Sequence, residues 1–304
     1  MEKTPKTIAK VIVNLLFISG ISLSVSGQKL NNIQEGSVWA PANVKVDAKL
    51  NEWNDTFQAF NKTTDINYTM ANDDKNLYLV IKSTNQMINN KIIAGGITLT
   101  INTSGKKKDK DKDSYMVTFP LVDIVNLRSQ VMSRMRGAPG GRPQPIDSAA
   151  IASMRKQAIA AAKEIKLEGF SATIPDSVVS IYNEYGLKAA MDYDRNGSLV
   201  CEMAIPLKYI NLNVANAKEF AYNIKLNGLN INALFPGAGA MFAGGGGGGA
   251  GGGFGGGGGG FGGGGGFGGG DGGGRPPAGM PGMQDMQNMI SPTDFWGKYV
   301  LAKK

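Results

Sequence analysis

Acidic side chains are the residues of this 304-residue chain that could do chemistry, because the chain contains no histidine. Histidine is the commonest general base and the commonest transition-metal ligand in proteins. Its absence excludes Ser-His-Asp and Cys-His hydrolysis and His-based zinc or haem sites. Carboxylate chemistry and the binding of hard cations through oxygen ligands remain possible.

One acidic stretch, DYDRNGS at residues 192–198, is similar to the start of a calcium-binding loop. Asp192, Asp194 and Asn196 fall at positions one, three and five of such a loop, and Gly197 falls at position six. Position twelve, where the loop needs a glutamate, is Met203. Strand-like segments flank the stretch, so an Asn-Gly hairpin turn is the favoured interpretation and structural calcium is the alternative. No other cofactor is expected.

A basic insert at residues 128–167 is the second feature that could bind a ligand. It carries eight basic and two acidic residues, so its net charge of +6 equals that of the whole chain after residue 27. Such a patch could bind an acidic glycan, a phosphate-rich envelope surface or nucleic acid, whereas a covering helix with a basic outer face is the simpler interpretation. The insert lacks aromatic residues on which bases could stack, so nucleic acid is not expected. The candidate patch residues are Arg128, Arg134, Arg136, Arg142, Arg155 and Lys156.

The elements that would position these residues are mostly short strands. Segments that alternate apolar and polar residues, separated by turn residues, follow one another from residue 43 onward. Alanine-rich sequence with apolar residues at helical spacing, from Asp147 or Ser148 as N-cap to Lys166, predicts one helix. The pattern predicts an all-β fold, an antiparallel two-sheet β-sandwich with one helical insertion and a disordered glycine-rich loop. The predicted strands are NVKVDA, DINYTMA, NLYLVIK, ITLTIN, SYMVTF, SVVSIYNEY, LKAAMDYD, SLVCEMAIPL, EFAYNIKLNGLN and KYVLA.

The N-terminal 27 residues have the form of a secretory signal peptide, with a basic start, an apolar centre and a small-residue exit. A signal anchor is the alternative, although the apolar run is short for a membrane-spanning helix. Residues 28–42 form a lead-in, and residues 43–304 form a single domain. With one cysteine, Cys201, the chain cannot form an internal disulfide. We expect an exported protein of a Gram-negative-type bacterium, periplasmic, on the outer surface or secreted, with no transmembrane segment after the signal.

A second insert, at residues 236–290, is rich in glycine, phenylalanine and methionine. Glycine has no side chain to bury and loses the most backbone freedom on ordering, so we expect this segment to be disordered. Strand-like sequence resumes after it, which makes it an insertion within the domain and not a linker between two domains. Lengthening a loop about tenfold costs only about 2 kcal/mol of closure entropy, so a sandwich can tolerate it. The insert is either a tolerated loop or a tether for a partner.

Four stretches, in order along the chain, carry a resemblance to a known family. VKVDAKLNEWND (44–55) resembles the opening of the family 9 carbohydrate-binding-module-like, or DOMON-like, domains, and ANDDKNLYLVIKSTN (71–85) resembles their following hairpin. CEMAIPLKYINL (201–212) and SPTDFWGKYVLAKK (291–304) are similar to later segments of the same family. The resemblance implies an antiparallel β-sandwich of secreted proteins, whose ligand-binding members recognise sugars by aromatic stacking and can carry structural calcium.

The three tryptophans are the residues that bear most on sugar binding in such a domain. Trp53 and Trp296 lie inside the motifs that carry the resemblance, where we expect an aromatic side chain to fill the core. Trp39, in SVWAP ahead of the first strand, is therefore the candidate to stack on a ligand. The alternative is that the Trp39 side chain packs over one end of the sandwich.

The sequence thus predicts an exported, non-catalytic protein that binds a polysaccharide or an acidic envelope glycan, as a glycan-binding or envelope accessory. One alternative is a structural scaffold whose basic insert or glycine-rich loop binds an envelope partner. Another is a carboxylate-only glycan-active enzyme, for which Glu52 and Glu202 would have to face each other across a cleft. We assign no catalytic residue.

Overall fold

The predicted all-β sandwich is confirmed by the computed structural model, which describes residues 29–121, 128–129, 148–230 and 283–304. A five-stranded sheet has the order β1-β2-β3-β9-β8, and a six-stranded sheet has the order β11-β10-β4-β5-β6-β7, with all pairings antiparallel. The strands are β1 Ala59–Asn61, β2 Ile66–Asn72, β3 Asn76–Ser83, β4 Ile97–Asn102, β5 Ser114–Phe119, β6 Glu164–Glu168, β7 Val178–Ser180, β8 Lys188–Tyr193, β9 Leu199–Pro206, β10 Phe220–Leu226 and β11 Thr293–Tyr299.

The main core lies between the two sheets and follows from the alternation of the central strands. In β2, Ile66, Tyr68 and Met70 are fully buried, and the apolar residues of β10 meet them from the other sheet. The phenol oxygens of Tyr68 and Tyr222 lie 2.9 Å apart across the interface, so one phenol donates to the other. Gly297 of β11 lies against the Tyr222 ring, and a Cβ built there would overlap the ring.

A second apolar cluster covers the outer face of the five-stranded sheet. Residues 38–57 run across this face, where Trp53 packs with Tyr78, Val80 and Ala204. The predicted strand NVKVDA is wrong, because this stretch forms no strand. The backbone N–H groups of Asp47 and Ala48 donate to the side chain of Glu202, whereas in a strand they would donate to a neighbouring strand.

The α-helices that the structure describes in full are α1 Gln86–Gly95, α2 Ser148–Ala161 and α3 Met283–Ile290. The predicted helix extended too far, because α2 ends at Ala161 and the chain then forms β6, which pairs with β5 and β7. Ile165 fits helical spacing in the sequence, but it is buried in the sandwich core as part of β6. Among the described helices, none combines the length and the apolar character that crossing a membrane requires.

Three further elements differ from the prediction. Helix α1 was not predicted, although Asn85 caps it by accepting a hydrogen bond from the Met87 amide. Helix α3 lies within the segment predicted to be disordered, and it packs against α1. The final strand β11 begins at Thr293 and ends at Tyr299, earlier than the KYVLA segment indicated. The predicted signal peptide, most of the basic insert ahead of α2 and the glycine tract lie outside the described residues.

Candidate functional site

Trp39, the predicted stacking residue, lies in a lead-in segment that hydrogen bonds hold against the sandwich. Its neighbour Ala40 donates to the Asn72 carbonyl at 2.8 Å, and the Asn72 amide donates to the Val38 carbonyl at 3.0 Å. The Val38 amide in turn donates to the phenol oxygen of Tyr299 at 3.0 Å. The Trp39 side chain is partly buried. The backbone around it therefore closes the edge of β2 against the C-terminal segment.

Trp53 and Glu202 form a buried contact that joins two of the stretches resembling the family. The Trp53 indole N–H donates to Glu202 Oε1 at 2.9 Å, and the amides of Asp47 and Ala48 donate to Oε2 at 2.9 and 2.7 Å. Glu202 is only 2% exposed. Burial raises the pKa of Glu202 to about 7, and the three donors partly offset that effect. Both carboxylate oxygens thus serve to hold residues 47–53 on the sheet.

Trp296 does not fill the core between the sheets, contrary to the expectation from its motif. Its neighbours Phe295 and Tyr299 point into that core, and Trp296 faces the other way on edge strand β11, where it is partly buried. The reason is the period of two in a strand, which places consecutive side chains on opposite faces. Trp53, in contrast, is buried at 6% exposure, although its cluster lies on the outer face of the five-stranded sheet.

The calcium candidates lie at the turn between β8 and β9. Asp194 Oδ1 accepts hydrogen bonds from the amides of Asn196 and Ser198, at 2.9 and 2.8 Å, and Oδ2 lies 3.1 Å from Lys82 Nζ. Partial burial acts to raise the pKa of Asp194, but the Ser198 amide and the Lys82 ammonium outweigh it and lower the pKa. Gly197 has a φ of +79°, as a turn of this kind requires. In this geometry Asp194 closes a hairpin turn and pairs with an ammonium group.

The other two calcium candidates contribute little to that turn. Asp192 is exposed on β8 and accepts a hydrogen bond from the Tyr193 amide at 2.7 Å, and Asn196 is exposed. Lys82, whose side chain is 12% exposed, also lies 2.8 Å from Asp55. Within the described residues, no group of three or more acidic or cysteine side chains is placed to hold a metal ion.

A cleft of about 730 Å³ lies between α2 and the end of β8, and it brings together residues from both predicted sites. Arg155 and Lys156, from the basic patch, line it from the helix, and Asp192 and Tyr193 line it from the strand. Ile159, one helical turn after Arg155, adds an apolar wall. The helix and the strand are about forty residues apart in sequence, so only the fold could join them.

Arg155, one of the residues that line the cleft, is held in a defined position. Its guanidinium carbon lies 4.4 Å from the centre of the Tyr193 ring, and one terminal nitrogen donates to Gln86 Oε1 at 2.6 Å. Among the residues that the structure describes, the buried Arg155 Nε has no hydrogen-bond partner. Burial raises the pKa of the Tyr193 phenol, and the Arg155 cation partly offsets that increase. Within the described part of the chain, neither Arg155 nor Lys156 forms an ion pair with a carboxylate.

The rest of the predicted basic patch is only partly covered by the structure. Arg128 is exposed, whereas Arg134, Arg136 and Arg142 lie outside the described residues. The structure therefore places Arg155 and Lys156 in one site and leaves the other patch residues as a prediction.

We name Tyr182, Tyr185 and Tyr209, near the opposite end of β8, the tyrosine surface; the sequence analysis missed it. Tyr182 is 81% exposed, far more than the other large apolar side chains on the described surface. Tyr185, in the same connection between β7 and β8, packs edge-to-face on Tyr209 with ring centres 6.2 Å apart. Lys208 Nζ lies 4.6 Å from the centre of the Tyr209 ring. The polar stretch IYNEYG, with two tyrosines three residues apart before a turn glycine, was the available signal.

Comparison with known proteins gives distant structural similarity but no match in sequence. No family model matches the chain, and no curated protein matches it. A solved structure of a carbohydrate binding module of family 9 from Caldicellulosiruptor kristjanssonii, in complex with glucose, covers 65% of this chain and 80% of its own. The sequence identity is 10% and the TM-score is 0.30. The similarity extends to a β-sandwich architecture at most and assigns no ligand to this chain.

Proposed function

We propose that this protein is an exported, non-catalytic glycan-binding protein of the cell envelope. The observation that carries the proposal is the tyrosine surface formed by Tyr182, Tyr185 and Tyr209. The C–H faces of sugar rings pack on aromatic rings, while the phenol hydroxyl forms hydrogen bonds to sugar hydroxyls. The ring of Tyr182, which is 81% exposed, is free to stack on a ligand.

The neighbouring polar groups suit a sugar ligand. Tyr185 donates to Asp176 at 3.3 Å, which leaves the other Asp176 oxygen to accept from a sugar hydroxyl. Lys208, above the Tyr209 ring, adds a donor at the edge of the same surface. The stretches that resemble family 9 carbohydrate-binding modules support the same class of function. The engagement of both Glu202 oxygens by the protein supports a binding role over a catalytic one.

Export is proposed from the N-terminal signal sequence alone. Fractionation of cells that express the full chain would find the protein outside the cytoplasm, shortened by about 27 residues. Retention of the full-length protein in the cytoplasm would contradict this part of the proposal.

The test of glycan binding compares Tyr182→Ala with the wild-type chain on a panel of polysaccharides. We expect saturable binding by the wild type and about a tenfold weaker affinity for the variant, since loss of one stacked ring costs on the order of 1.4 kcal/mol. Val178→Ala, which shortens another exposed apolar side chain on nearby β7, serves as the matched control and leaves the affinity unchanged. Binding that is identical in the Tyr182 variant, or absent for every polysaccharide at high protein concentration, would contradict the proposal.

A further inference from the structure

We infer that the cleft between α2 and β8 binds the carboxylate-bearing sugar of an acidic glycan, a uronic acid. This inference rests on the glycan-binding function proposed above. It names the class of sugar and a second contact site, at the end of β8 opposite the tyrosine surface. The site is formed by Arg155, Lys156, Ile159, Asp192 and Tyr193.

The size of the cleft fits one or two sugar residues. Its volume of about 730 Å³ lies in the range of ordinary small-molecule sites, roughly 300–1,000 Å³. Ala152, Ile159 and Ala160 on α2 provide an apolar wall against which the C–H face of a pyranose can lie. The cleft thus offers an apolar surface and charged groups in the same small space, as sugar recognition requires.

The charges in the cleft favour a carboxylate. The Tyr193 ring and the hydrogen bond to Gln86 fix the Arg155 guanidinium before any ligand binds. A fixed guanidinium offers parallel N–H donors that match a carboxylate, and it loses little side-chain entropy on binding. Lys156 adds a second, exposed cation beside it. In the described structure, no protein carboxylate forms an ion pair with either cation.

Asp192 distinguishes a uronic acid from a simple anion. Its carboxylate lines the same cleft, and the hydrogen bond from the Tyr193 amide holds one oxygen in place. A carboxylate next to the site repels any anion, but it also accepts hydrogen bonds from the hydroxyl groups of a sugar, which sulfate lacks. A ligand that carries both a carboxylate and neighbouring hydroxyls therefore satisfies all three charged groups, whereas an inorganic anion satisfies only the cations.

The experiment measures calorimetric binding of the full chain to trisaccharides of galacturonic, glucuronic and mannuronic acid. The methyl ester of each trisaccharide and sodium sulfate are measured alongside. We expect at least one acid to bind, its methyl ester to bind about tenfold more weakly or less, and sulfate to show no saturable binding. Binding of the acid should weaken as salt is added. If no acid binds at millimolar concentration, or if the esters bind as well as the acids, the inference is overturned.

Three variants locate the binding in the cleft. Arg155→Gln and Lys156→Gln should each weaken uronide binding by about tenfold, because each removes one charge-assisted contact. Lys188→Gln removes an exposed lysine at the other end of β8 and serves as the matched control, with unchanged affinity expected. Because Arg155 also packs on Tyr193, the exposed Lys156 provides the test that does not depend on how α2 is held. Unchanged affinity in both cleft variants would overturn the inference.

The outcomes also separate this inference from the proposed function. Tyr182→Ala should leave binding of the acidic trisaccharides unchanged, since Tyr182 does not line the cleft. If neutral polysaccharides bind in a Tyr182-dependent way and no uronide binds, the cleft inference fails while the proposed function stands. If uronides bind through Arg155 and Lys156 but Tyr182→Ala leaves the binding of neutral polysaccharides unchanged, the tyrosine surface has been wrongly identified as a glycan contact.

Discussion

Replacing Glu202 by glutamine tests how residues 38–57 are held against the five-stranded sheet. In the native protein, one carboxylate oxygen accepts from two backbone amides, and the other accepts from the Trp53 indole at 2.9 Å. Glutamine has one acceptor oxygen. If that oxygen serves the amides of Asp47 and Ala48, the side-chain NH₂ group faces the indole N–H, and two donors meet with no acceptor between them. An unmade hydrogen bond in such a buried site costs about 1–3 kcal/mol, so we expect the free energy of unfolding to fall by about 2 kcal/mol.

The pH dependence of stability gives a second, independent signature of the same residue. Burial raises the pKa of Glu202 from 4.5 to about 7, so between these values the folded state holds a proton that the unfolded state releases. The contribution of Glu202 to the stability of the folded state is therefore fully present below about pH 4.5, and it is lost as the pH rises through about 7. This difference between the pKa values of the folded and unfolded states corresponds to about 3 kcal/mol in the free energy of unfolding. In Glu202→Gln this contribution to the pH dependence is absent.

The assay is urea unfolding followed by tryptophan fluorescence, at about pH 5 and about pH 8. The difference in the free energy of unfolding between the wild type and Glu202→Gln should be largest at the lower pH. There the protonated carboxyl group of the wild type still has acceptor lone pairs on both oxygens, whereas the amide nitrogen of glutamine has none. Glu35→Gln, at an exposed position in the lead-in, is the matched control. The reasoning is refuted if Glu202→Gln unfolds within about 0.5 kcal/mol of the wild type at both pH values, or if the wild-type decline in stability persists in the variant.

Two further variants test the core between the sheets. Gly297→Ala should destabilise the protein by about 1–3 kcal/mol in thermal unfolding, because its Cβ would overlap the Tyr222 ring, whereas Gly36→Ala has open space and should have little effect. Equal melting temperatures for the two glycine variants would contradict the packing described. Tyr68→Phe removes the oxygen that contacts both Tyr222 and the Gln34 amide, so we expect a loss of about 1–3 kcal/mol. A neutral effect of this change would mean that the buried phenol pair contributes little to stability.

Local patterns in the sequence predicted most strands correctly. The alternation of β2, with Ile66, Tyr68 and Met70 on one face, is enough to specify a half-buried strand. The same rule failed at residues 43–48, which alternate in sequence but form no strand, and the amides of Asp47 and Ala48 donate to Glu202 instead. It also failed at Ile165, where one apolar residue fits both the helical period and the strand period. In both cases the deciding partner lies far away in the chain.

The candidate sites show the same division between sequence and structure. The chain's composition by itself excluded histidine-based chemistry, its motifs indicated a β-sandwich, and its charge distribution pointed to the segment that contains Arg155 and Lys156. The tertiary structure decided that Arg155 meets the Tyr193 ring, that a lysine pairs with Asp194, and which aromatic side chains are exposed. Periodicity and composition are local properties that a sequence shows directly. Burial and hydrogen-bond partners depend on contacts between segments distant in the chain, and only the packed sheets bring those segments together.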